Sequence, residues 1–104
     1  MSLVGTEFPF RQRVSTTPIG AKSAITVNVT TTATLVAPAN GRRVSLTLYL
    51  DAGTVYLGDS TVSPSSYMVK LTSGQTLVDD ASYDAWYAIT ASGTATLYGV
   101  VVTA

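Results

Sequence analysis

A chain of 104 residues with no Cys, no His and a formal net charge of zero has room for one domain and nothing with which to build a disulfide framework. It carries no global field that would draw it to nucleic acid or to a membrane surface, and the missing His and Cys exclude a Ser-His-Asp or Cys-His nucleophile and the usual zinc ligand sets. A domain of this size buries roughly 65% of the surface its unfolded chain exposes, which is enough for a core without covalent staples.

In chain order, residues 1–22 show little alternation and carry Gly5, Pro9, Pro18, Gly20 and the polar stretch Ser15-Thr16-Thr17, so they read as an extended arm ahead of a domain over 23–104. No basic segment followed by an apolar run opens the chain, and no run of about 18 apolar residues occurs, so neither a signal peptide nor a membrane span is expected. Phe8 and Phe10 flank Pro9, and Arg11 and Arg13 follow; this aromatic and basic segment suits another surface. Two readings stay open: the rings close the bottom of the domain's own sandwich, or the arm docks on a neighbouring subunit.

From Ser23 the apolar residues fall on alternate positions. Ile25, Val27 and Val29 form one strand, Thr30–Thr32 a polar link, and Ala33–Ala37 a second strand ended by Pro38-Ala39-Asn40-Gly41. Arg43–Leu50 is the clearest strand, with Val44, Leu46, Leu48 and Leu50 pointing inward. Asp51-Ala52-Gly53 then reads as a three-residue hairpin loop, with Gly53 left-handed, into Val55 and Leu57. A Ser/Thr-rich loop with Pro64 covers 59–66, followed by strands at Tyr67–Leu71, Gln75–Val78, Tyr83–Thr90 and Thr94–Thr103, separated by turns at Thr72-Ser73-Gly74, Asp79–Ser82 and Ala91-Ser92-Gly93. About eight strands with frequent turn signals and no helical periodicity predict an all-β, antiparallel, jelly-roll-like sandwich, preferred over a closed barrel.

Charge is uneven: residues 1–50 carry five Lys/Arg against Glu7, and residues 51–104 carry Lys70 against five Asp. Such asymmetry favours association with an oppositely charged neighbour. The Arg42-Arg43 pair is a candidate contact; its plainer reading is a solvated turn with one guanidinium stacked on a Tyr. Asp79, Asp80 and Asp84 crowd one loop, where a solvated acidic turn is preferred over a Ca²⁺ site because the spacing matches no EF-hand. Ser66 and Lys70 form no recognised Ser-Lys motif, and the Asn28-Val29-Thr30 acceptor pattern lies inside a strand. No pair of carboxylates faces an evident cleft, so no catalytic activity and no cofactor are expected.

Asn40, Arg43, Leu46 and Leu48, followed by Thr54-Val55-Tyr56-Leu57-Gly58, resemble a segment of small virion proteins of tailed bacteriophages. Trp86-Tyr87-Ala88-Ile89 before a terminal Gly93-Thr94-Ala95-Thr96 hairpin resembles the close of the same module, so the likeness covers residues 38–103. The resemblance implies a structural, non-enzymatic role as a head decoration or cement protein in the virion, assembled in the host cytoplasm as a homo-oligomer. Its partner would be the major capsid protein or another virion protein, with no nucleic acid and no membrane. Interfaces of that kind draw on aromatic and Arg anchors, for which Phe8, Phe10, Arg11, Arg13, Arg42 and Arg43 are the candidates. The rival is a carbohydrate- or receptor-binding module of a tail or fibre, in which Trp86, Tyr67, Tyr83 and Tyr87 supply an aromatic platform. Against it, the preferred reading makes Trp86 a large core anchor with the Tyr hydroxyls reaching the rim.

Overall fold

A computed structural model describes residues 20–104. Eight strands form there: β1 (Ala21–Val29), β2 (Thr34–Ala37), β3 (Arg43–Leu50), β4 (Thr54–Gly58), β5 (Val69–Thr72), β6 (Thr76–Asp79), β7 (Trp86–Ile89) and β8 (Ala95–Thr103). The all-β expectation holds, and among the described residues there is no helix. Strand β1 takes in Ala21 and Lys22, so the last two residues assigned to the arm are strand. Residues 1–19 of the arm lie outside the described residues.

The strands divide into two antiparallel sheets ordered β1-β8-β3-β6 and β2-β7-β4-β5. First pairs with last: β1 with β8, β2 with β7, β3 with β6 and β4 with β5. The β8-β3 and β7-β4 pairings then join these ribbons into sheets. A ribbon doubled back on itself and rolled in this way is the jelly roll, one solution to the exposed-edge problem of antiparallel sheets.

This order corrects the expected hairpins. β3 and β4 lie in different sheets, as do β7 and β8, so neither the 51–53 nor the 91–94 connection is a hairpin loop. Gly53 does take positive φ, at 92°, but it turns the chain across the core. Its N–H is held by Ser73 Oγ at 3.0 Å, tying the 51–53 corner to the β5–β6 corner, which makes the same crossing. Only β4 and β5 are consecutive in one sheet, joined by the long 59–68 connection.

The core lies between the sheets. Leu46, Leu48 and Leu50 of β3 and Leu97 of β8 face Val55 and Leu57 of β4, all fully buried, with Val29, Val36, Ala37, Leu71, Ala88 and Ala95 completing the cluster. Burying a Leu or Val side chain contributes about 1.5–3 kcal/mol, so this row dominates the stabilisation. Val44 breaks the expected alternation. A bulge shifts the β3–β8 register between Arg43 and Ser45, which leaves Val44 half-buried and turns Arg43 inward.

Candidate functional site

Several connections gather at one end of the sandwich, where β1 begins and β8 ends. Arg43 opens β3 there, and the bulge sends its side chain inside, only 1% exposed. Its Nη1 donates to Pro38 O at 3.1 Å and its Nη2 to Asp84 O at 2.6 Å, so one guanidinium ties the 38–42 and 80–85 connections together. Asp79, at the end of β6, stands beside it at 3.9 Å. That separation is too long for a hydrogen bond, so the two meet as charges.

Asp79 is the acceptor around which the 80–85 connection folds. Trp86 Nε1 donates to Oδ2 at 2.8 Å and Ser82 Oγ to Oδ2 at 2.7 Å, while the N–H groups of Ala81 and Ser82 donate to Oδ1 at 3.1 Å each. Burial pushes the carboxyl pKa up, but these bonds to the charged form outweigh it and hold the group at about 2, below the usual 3.8. A pKa depressed in the fold stabilises above the unfolded value and loses that contribution as pH falls. The urea midpoint is therefore expected to be flat down to about pH 5 and to fall as pH drops from about 4 toward 2, with up to about 2 kcal/mol at stake. Asp79→Asn should flatten that acid limb; an unchanged limb would place the effect on another group.

The solvated turn expected of Asp79, Asp80 and Asp84 holds for Asp80 and Asp84, which are exposed, but not for Asp79. Asp79 is buried in a hydrogen-bonded knot, and among the described residues no group of three acidic side chains is placed to hold a metal ion. Asp84 serves Arg43 through its main-chain carbonyl and remains exposed.

Beside the knot, the 59–68 and 80–85 connections enclose a cleft of about 620 Å³ lined by Asp59, Ser60, Met68, Ser82, Asp84, Ala85, Trp86 and Tyr87. Trp86 bridges the two features, with its indole packed against the core, its N–H on Asp79 and part of its surface in the cleft. Asp59 accepts from Thr61 Oγ1 at 2.6 Å and from Thr61 N at 2.9 Å, which lowers its pKa, the side-chain bond being the larger cause. No basic described residue lines this cleft.

A second surface is the outer face of the β1-β8-β3-β6 sheet. Register places Thr26, Tyr98, Tyr49 and Thr76 in one row across all four strands, and Ala24, Val100, Thr47 and Val78 in the next. Neither row contains a charge. Tyr98 is 46% exposed, Tyr49 40% and Val78 60%, and a shallow groove runs past Thr47, Tyr49, Tyr98 and Val100.

Of the candidates named from the sequence, Phe8, Phe10, Arg11 and Arg13 lie outside the described residues. Arg42 is exposed and closes on Ala104 O through Nε at 3.0 Å and Nη2 at 2.6 Å. Arg43 is not available as a surface anchor, because it is consumed by internal carbonyls. The four aromatic residues do not make one platform: Trp86 and Tyr87 line the cleft, Tyr83 is exposed apart from it, and Tyr67 packs on Tyr56 at 4.9 Å between ring centroids. Lys70 stands over the Tyr56 ring at 5.8 Å, away from any pairing with Ser66. Sequence reasoning missed the Arg43–Asp79–Trp86 knot, whose members are brought together by pairing and a bulge. The uncharged rows of β3 and β8 were legible in part as the outward half of the alternation.

No protein-family model, curated protein or solved structure matches this chain.

Proposed function

We propose that this chain is a bacteriophage virion structural protein, a capsid decoration protein that binds the outside of the head shell and stabilises it without catalysis. The observation that carries the reading is a pair of uncharged rows of Tyr, Val, Thr and Ala that span all four strands on the outer face of the β1-β8-β3-β6 sheet, with Lys22 and Asp51 at their margins. Four strands at about 4.8 Å spacing give a flat face about 14 Å across between outer strand axes, and apolar patches of this kind mark protein contacts. A rigid jelly roll presenting an uncharged strip at the centre of one face suits repeated, equivalent docking on a shell, because shape and burial rather than charge then dominate the contact there.

Co-sedimentation with purified heads tests the reading. The protein is expected to pellet at a fixed, saturable ratio to the major capsid protein. Tyr98→Asp, which places a charge at the centre of the face without touching the core, should weaken binding about 30-fold or more, as loss of an aromatic anchor does. The variant's far-UV dichroism should stay unchanged. Protein that stays in the supernatant at every ratio, or a Tyr98→Asp variant that binds as wild type, would sink the proposal.

A further inference from the structure

We infer that the cleft between the 59–68 and 80–85 connections receives the Phe8–Arg13 segment of a second copy of this chain. The cleft sets two demands on an occupant. Its wall is apolar and aromatic through Met68, Trp86 and Tyr87, and its charged lining residues, Asp59 and Asp84, are both acidic. At about 620 Å³ it is the size of sites that enclose a ligand of a few side chains. Thr61 holds Asp59 in its ionised form, so the negative charge at the rim persists through the neutral range.

Those demands are met by one stretch of the chain itself. Phe8-Pro9-Phe10-Arg11-Gln12-Arg13 is the only six residues in the sequence that hold two aromatic rings and two cations. The rings suit the Trp86 and Tyr87 wall, and the guanidinium groups match the two carboxylates in charge and in fork geometry. Pro9 restricts the backbone in advance and so reduces the ordering cost of docking.

Placement supports a partner copy. Ala21 pairs with Thr103, Thr103 pairs with Arg43, and the Arg43 guanidinium bonds Asp84 O, so the start of β1 and the cleft lie at the same end of the sandwich. Followed backwards from Ala21, β1 leaves the sandwich at that end. The stretch from Arg13 to Gly20 spans at most about 25 Å, which delivers the segment to a copy standing at that end. Each copy would give a segment and receive one, a contact that can close a ring or be reciprocated in a dimer. This rests on the reading that the protein assembles, and it supplies a contact between copies distinct from the sheet face offered to the shell.

The composition provides the test, because Trp86 is the sole Trp and there is no native Cys. Full-length Gln12→Cys carrying a spin label, at natural isotope abundance, is mixed with full-length ¹⁵N-labelled chains that bear no label, and the Trp86 indole N–H resonance is followed. Loss of more than half its intensity is expected, with recovery when the labelled-isotope chain carries Asp59→Asn and Asp84→Asn, or when the spin-labelled chain carries Phe8→Ser and Phe10→Ser. The dispersed position of the indole peak reports that each variant is folded. Full intensity in the mixture overturns the inference. So does broadening confined to chains carrying both labels, which would put the segment in its own cleft. An oligosaccharide that shifts the resonance while the spin label leaves it intact would seat a sugar there and overturn it too. Head binding in the co-sedimentation experiment can succeed while this contact fails, so the two failures are separable.

Discussion

Replacing Arg43 with Ala is expected to lower the free energy of unfolding by about 3 kcal/mol or more, the cost of removing one member of a buried charged network. The stem of Arg43 is buried, but the guanidinium carries most of the effect. Its two short bonds satisfy Pro38 O and Asp84 O, carbonyls of two connections that share no strand pairing through those residues. Without it both acceptors lose a charge-assisted donor, each worth about 1.5–3 kcal/mol. Asp79 loses a neighbouring charge but keeps four direct hydrogen bonds, so the carboxylate is not the main casualty. The 80–85 connection should loosen while the two sheets persist. Urea unfolding gives the stability loss, and a red shift of Trp86 emission in the still-folded variant reports the loosening. Arg43→Lys should recover only part of it, since an ammonium group cannot reproduce a fork of donors aimed at separate carbonyls. An Arg43→Ala variant within about 1 kcal/mol of wild type would show that water replaces the guanidinium without cost, against the burial argument.

Gly99→Ala is expected to be as damaging, at about 3 kcal/mol, although it adds a single methyl group. Gly99 sits in the middle of β8, a strand paired on both sides, opposite Ile25 of β1 and Leu48 of β3. A Cβ there would lie 2.5 Å from Thr47 O and 2.8 Å from Leu48 Cδ2. Leu48 is fully buried and cannot withdraw, and β8 cannot shift without breaking two ladders. Glycine in this strand is therefore the condition for close approach rather than a weak point. Gly41→Ala is the internal control: nothing lies within 4 Å of its Cβ, and it should be nearly neutral. Equal urea midpoints for Gly99→Ala and Gly41→Ala would refute the close-approach account. Gly99→Val, with two more methyl groups against the same wall, is expected not to fold.

Both effects rest on details that local patterning does not carry. Alternation in β3 placed Leu46, Leu48 and Leu50 in the core, and turn chemistry at Asn40-Gly41, Gly53, Gly74 and Gly93 marked corners that the structure retains. The 59–68 connection was readable as a Ser/Thr-rich surface loop, although Val62 tucks inward against Gly58 and helps shape that end of the fold. The cleft itself was not legible, because Asp59 and Met68 come to Trp86 only when β4 and β7 pair and the loops beyond them meet. For Arg43 the strand period pointed the wrong way: it assigned Val44 to the core, and one extra residue in the ladder with β8 reversed the two.

By itself the sequence determined that the domain is built of about eight short strands with period-two burial and no helix, because alternation and turn residues are local properties that each segment expresses alone. Partnership between strands was decided only in three dimensions. An inward Leu is equally buried whether the next strand lies beside its own or across the core, so the pattern cannot distinguish a hairpin from a corner between sheets. Closure of the rolled ribbon, first strand against last, settled that choice, and with it the burial of Arg43, the knot on Asp79 and the cleft beside Trp86.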